Sequence, residues 1–107
     1  MGRNSSGISG SKRGQSTYMK ATDNMIKAFY SGNAEMKKAS IAKVRELISK
    51  MGDDTVAARA ESTSEGAWLS SKAMNPKGYD PKQYAYNSQL AKLYAAEAKK
   101  RKLAGYK

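Results

Sequence analysis

The chain has no cysteine and no histidine. Without cysteine there is no disulfide framework, no thiolate zinc site and no thiol nucleophile. Without histidine the usual general base near neutral pH and the commonest metal ligand are missing. An enzyme would have to work with Asp, Glu, Lys, Tyr and Ser alone. One carboxylate pair, Glu61 and Glu65, lies one helical turn apart, but no third acidic ligand has the spacing of a metal or glycosidase site, so it reads as a solvated helical face. The expectation is a non-enzymatic protein with no metal and no cofactor.

Large aliphatic residues are scarce as well. Leu, Ile, Val and Phe number 5, 4, 2 and 1, or 12 of 107 residues, a fraction at which autonomous folding is marginal for a chain of high net charge. Seven Tyr, six Met and Trp68 compensate in part, the Met side chains as core gap-fillers and Trp68 as an anchor of the small core. No hydrophobic run reaches the length of a membrane span, and residues 1–15 lack the apolar segment of a secretory signal. The expected location is intracellular, cytoplasmic or within a nucleoprotein particle, and not secreted. The composition of residues 1–22 also suits an organellar transit peptide, although its glycines interrupt an amphipathic helix.

Acidic residues are few and unevenly placed. There are 20 Lys and Arg against 9 Asp and Glu, a net charge of +11. Residues 1–22 carry four bases and no acid (+4), residues 23–78 nine bases and seven acids (+2), and residues 79–107 seven bases and two acids (+5). Charge gathered at the two ends is the footprint expected of a protein that meets a polyanion. RNA, DNA, an anionic membrane surface or an acidic protein would each fit, the membrane surface least, because the C-terminal helix offers few large apolar residues to insert.

Residues 1–15 are rich in Gly and Ser and carry Arg3, Lys12 and Arg13. Such a segment buries too little to offset its ordering entropy and is expected to be a flexible basic arm. Residues 16–107 then form a single small helical domain. Ser16 or Thr17 caps a first helix in which Tyr18, Met19, Thr22, Met25, Ile26 and Phe29 recur at spacings of three and four, until Ser31-Gly32-Asn33 breaks it. Asn33 caps a second helix with an apolar stripe of Met36, Ile41, Val44, Leu47, Ile48 and Met51, ended by Gly52. On its polar side Lys38, Arg45, Lys43 and Lys50 read as a solvated face. Asp53 or Asp54 caps a third helix, expected to bend or break near Gly66 and to leave Trp68, Leu69 and Met74 on a separate short helix before Asn75-Pro76.

The strongest local signal is the last one. Asp80-Pro81 with Gln83 makes a capping box, and Tyr79 with Tyr84 a hydrophobic staple. The helix that starts there runs over 80–104 to a stop at Gly105, places Tyr86, Leu90, Leu93 and Tyr94 on one face, and ends in Lys99, Lys100, Arg101 and Lys102. The fold class that follows is all-α: a small bundle of three to five short helices with a flexible basic arm and a long basic C-terminal helix.

Function follows from charge rather than from a motif. Tyr79, Tyr84 and Tyr106, interleaved with lysines, suit phosphate contacts alongside stacking on bases. The candidate nucleic-acid-binding residues are Arg3, Lys12, Arg13, Lys82, Lys92, Lys99, Lys100, Arg101, Lys102, Tyr106 and Lys107. No zinc-finger spacing, aromatic strand motif or GXXG loop is spelled out. The reading is a nucleic-acid-binding accessory or packaging protein that contacts the phosphate backbone of RNA or DNA. The alternative is a small helical adaptor or inhibitor, of viral type, docking on an acidic protein surface.

Overall fold

A computed structural model describes residues 9–103, with side chains described over residues 17–103. Four helices follow one another: α1 (Ser9–Ser31), α2 (Ala34–Ser49), α3 (Asp53–Leu69) and α4 (Pro81–Lys100). Among the described residues there is no strand, so the all-α expectation holds.

α1 and α2 form an antiparallel hairpin closed by Gly32, whose φ of +75° is open to a residue without Cβ, followed by Asn33, whose side chain accepts from the Met36 N–H. α4 lies against this hairpin on one side and packs most extensively against α3 on the other, while α3 touches α1 and α2 only weakly. The core runs along α4: Tyr86, Leu93, Tyr94 and Ala98 meet Ala21, Met25 and Phe29 of α1, Val44 and Ile48 of α2, and Val56 and Ala60 of α3. Phe29 and Tyr86 pack edge to face with ring centroids 6.2 Å apart. Alanines at Ala21, Ala60 and Ala98 let the helices approach closely, which is how so few large aliphatic residues close a core.

Several expectations are corrected. The first helix begins at Ser9, inside the segment read as a flexible arm, so its backbone passes through Gly10 and Gly14 despite their low helix propensity; residues 1–8, and with them Arg3, lie outside the described residues. α3 runs unbroken through Gly66, where a Cβ would meet nothing within 4 Å, and residues 70–79 are turns with no further helix. The cap of α3 is Gly52, not Asp53 or Asp54; both aspartates sit in its first turn, where the helix dipole favours them without a side-chain cap bond. Trp68 is 57% exposed and anchors nothing in the core.

α4 starts as expected and stops early. Asp80 accepts from the Lys82 and Gln83 N–H groups, and Tyr79 and Tyr84 face each other at 6.1 Å. Gln83 does not reach back to complete the box; its amide donates to Asn87, which in turn donates to the Ser70 hydroxyl and holds the α3 end against α4. At the other end the helix closes after Lys100, not at 104. The Leu103 N–H bonds to the Ala98 carbonyl and the Lys102 N–H to the Lys99 carbonyl, the paired bonds of a Schellman motif, with Lys102 in the left-handed conformation at φ 57°. Leu103 packs back on the core, a hydrophobic gain that offsets the strain at Lys102.

Candidate nucleic-acid interface

The helices sort the charge that the linear chain blurs. α1 carries four bases and one acid (+3), α2 four bases and two acids (+2), and α4 four bases and one acid (+3). α3 reverses the sign, with Asp53, Asp54, Glu61 and Glu65 against Arg59 alone (−3). The nearly neutral middle of the sequence is therefore a basic helix followed by an acidic one. α3 packs chiefly on α4 and only weakly on the hairpin, so the acidic and the basic charge are carried by separately packed elements.

On the hairpin, Lys20, Asn24 and Lys27 recur at i, i+4 and i+7 and so share one edge of α1. They face Ser40 and Lys43 of α2 across two adjoining open hollows of ≈ 290 and ≈ 300 Å³, which share Ala21, Asn24 and Lys43. No carboxylate lines either hollow. The floor is apolar, with Ala21, Ala39 and the 46% exposed Met36. Asp23, the one acid of α1, acts elsewhere: burial above all, with the Asp23 charge adding, raises the Tyr86 hydroxyl above its ordinary pKa. Lys43 pairs with Glu46 at 3.3 Å, but both side chains are about half exposed and such pairs are worth at most about 1 kcal/mol, so the ammonium stays available.

A third hollow of ≈ 420 Å³ lies between α2 and α4 and holds Arg45 and Lys100 together with Glu46 and Glu97. Its two cations and two carboxylates give it no net sign.

The residues expected at the interface fall into separate places. Lys99 and Lys100 are exposed in the last turn of α4, where they also complement its dipole, and Lys102 is exposed just beyond. Lys92 is exposed on the same helix. Lys82 sits at the opposite end of α4, about 26 Å from Lys99 along the axis, and its ammonium donates to the Tyr30 carbonyl at the end of α1. Lys12 and Arg13 belong to the first turns of α1; their side chains, with Arg3, Tyr106 and Lys107, lie outside the described residues.

Arg101 has a different occupation. Its guanidinium donates to the Glu97 carboxylate at 2.7 Å, to Asp53 at 2.9 Å, and to the carbonyls of Met51, Ser49 and Ile48. It caps the open carbonyls at the end of α2 and ties α4 to the start of α3. A side chain with every donor turned inward has little left for a phosphate.

The interface residues that sequence reasoning passed over are Lys20 and Lys27, with Lys43 read only as solvated surface. The signal was present as the i, i+4, i+7 spacing of Lys20, Asn24 and Lys27, but it gained meaning only once α2 was placed alongside. Comparison with protein-family models, with curated proteins and with solved structures found no match. Among the described residues no helix is long and apolar enough to cross a membrane, and no cluster of acidic side chains could hold a metal ion.

Proposed function

We propose that this protein binds nucleic acid through the phosphate backbone, without catalysis, as an accessory or packaging component. The observation that carries the reading is the α1–α2 groove, in which Lys20, Lys27 and Lys43 converge with Asn24 and Ser40 and no carboxylate intrudes. Lysines supply point charges for phosphates, and the short polar side chains supply hydrogen bonds to phosphate and sugar oxygens. Lys99, Lys100 and Lys102 extend the positive field from the end of α4. Lysine point charges with a single amide, Asn24, give little discrimination between bases, so binding should be largely independent of sequence.

The test is a titration of the full chain against mixed-sequence RNA, single-stranded DNA and duplex at several salt concentrations. About four to six neutralised phosphates give a log–log salt slope near −4 to −5 on duplex. Changing Lys20, Lys27 and Lys43 to Gln should flatten the slope by about 3; changing Lys99, Lys100 and Lys102 to Gln, with Arg101 kept, should flatten it further. Losses that are similar across unrelated sequences support the reading. No binding to any of the three below roughly 100 μM would reject it and turn attention to an acidic protein surface as the ligand of the same lysines.

A further inference from the structure

The outward face of α3 is built for a basic partner. Asp54, Glu61, Glu65 and Trp68 are spaced by seven, four and three residues, which puts all four within about 60° of one another around the helix axis. All are exposed, and the buried side of α3, Val56 and Ala60, points the opposite way into α4. The stripe is three carboxylates ending in an indole, with Leu69 half exposed beside it. The only base on α3, Arg59, is turned inward to the Tyr94 hydroxyl. A solvated face accounts for the carboxylates and leaves the tryptophan unexplained.

The α1–α2 groove of the same molecule has the complementary form. Lys20 and Lys27 stand two helical turns apart, about 10.5 Å, the spacing that separates Asp54 from Glu61 and Glu61 from Trp68. Between the lysines and Lys43 the floor is apolar, with Ala21, Met36 and Ala39 around an open hollow of ≈ 290 Å³. α3 packs chiefly on α4 and only weakly on α1 and α2, and no carboxylate of α3 lines either hollow of the groove.

We propose that the α3 face of one copy docks in the α1–α2 groove of a second copy, Asp54 and Glu61 against Lys20 and Lys27, with Glu65 adding to the field and the Trp68 indole over the apolar floor. Contact between two different patches of identical chains is heterologous, so each docked copy presents a free groove at one end and a free α3 at the other, and association continues into a ring or a chain. The carboxylate stripe occupies the lysines that the nucleic-acid reading assigns to phosphates, so nucleic acid and a second copy compete for one groove. The association itself does not depend on that reading.

Sedimentation velocity on the full chain, stripped of nucleic acid, decides the matter. At about 20 mM salt, where surface charges are weakly screened, the wild-type protein should associate with rising concentration and should dissociate as salt is added. Trp68 is the only tryptophan, so its emission should shift to the blue as association proceeds. Two variants, Glu61→Lys/Glu65→Lys and Lys20→Gln/Lys27→Gln/Lys43→Gln, should each be monomeric alone, with unchanged circular dichroism. Mixed in equal amounts they should form a 1:1 dimer that grows no further, because the first retains only a working groove and the second only a working α3. A wild-type monomer at about 100 μM under these conditions, a self-associating Glu61→Lys/Glu65→Lys variant, or a mixture that fails to pair would each overturn the proposal. No nucleic acid is present, so such a failure leaves the polyanion reading standing.

Discussion

The Tyr94 hydroxyl donates to the Tyr18 hydroxyl at 2.6 Å across 76 residues of chain. Tyr94 is fully buried, and its oxygen also accepts from Arg59 Nη1 at 3.1 Å. Arg59 in turn stacks over the Tyr18 ring at 4.8 Å, and the Met51 sulfur lies 3.7 Å from the Tyr94 oxygen. Residues of α1, α3, α4 and the α2–α3 connection thus meet at one polar point inside an otherwise apolar core. Because every member is partnered, the cluster fixes how the four helices register against each other.

Tyr94→Phe should therefore lower stability by about 1–3 kcal/mol, since it strands the Arg59 donor and the Tyr18 hydroxyl together. Tyr18→Phe should cost less, because Tyr94 keeps Arg59. Denaturant titration of both single variants and the double should show a coupling of roughly 1 kcal/mol; strict additivity would mean that the two hydroxyls act independently.

Arg101→Gln should lower the thermal midpoint clearly more than Lys100→Gln. The first removes the cap on the α2 carbonyls and leaves Glu97 without its partner, whereas the second alters an exposed helix end. Equal midpoints would show that the α2–α4 tie contributes nothing in solution.

Lys102→Gly should stabilise the protein by about 0.5–1 kcal/mol. A left-handed residue with a Cβ carries a strain of roughly 1–2 kcal/mol, reduced by the greater freedom of glycine in the unfolded chain. Gly32→Ala should act in the opposite sense, because Gly32 holds the same kind of conformation at φ +75°. Paired thermal melts check both signs.

Stability should fall away at both ends of the pH scale. Tyr30 donates to the Asp80 carboxylate at 2.5 Å, and this bond holds the Asp80 pKa below its ordinary 3.8. A depressed carboxylate contributes stability above its unfolded value and loses it as pH falls through the folded one, so the loss begins below 3.8. Tyr30→Phe should lower stability near neutrality and flatten that acid limb. Burial first, and then the bond to Tyr94, raises Tyr18 above its ordinary 10.0, and burial raises Tyr86. The folded state resists their ionisation, so stability should decline as pH rises past 10.0. Melts from about pH 2 to 11 read both limbs.

Leu93→Ala should cost about 2–5 kcal/mol, a large part of the 5–15 kcal/mol typical of a small domain. Trp68→Ser should stay within about 0.5 kcal/mol. A comparable loss from both would return Trp68 to the core that its size suggested.

Much of the fold was legible locally. Asn33, Asp80-Pro81 and the Tyr79–Tyr84 staple act over three or four residues, and the stripes through Met25 and Phe29, through Val44 and Ile48, and through Tyr86, Leu93 and Tyr94 depend only on helical periodicity, so α1, α2 and α4 and their inner faces could be read in order, while the unbroken course of α3 through Gly66 could not. The fate of Trp68 could not. Its hydrophobicity argues for burial, but α3 meets its neighbours through Val56 and Ala60, and a helix has only one side to offer a small core. The Lys99–Lys102 run read as a uniform cationic post for the same reason, since a sequence cannot say that the α2 carbonyls end beside Arg101.

What this sequence determined by itself is what short-range chemistry decides: an all-helical chain, the caps at Asn33 and Asp80, its main apolar stripes, and an excess of positive charge that no tertiary arrangement can remove. Only the tertiary structure decided where that charge acts. It set Lys20 and Lys27 across from Lys43, turned Arg101 and Arg59 inward, and packed the acidic α3 on α4 with little contact to the basic hairpin. Hydrogen-bonding and capping act within a turn of the chain, whereas electrostatic fields and apolar contacts act across space between residues that the sequence holds tens of positions apart.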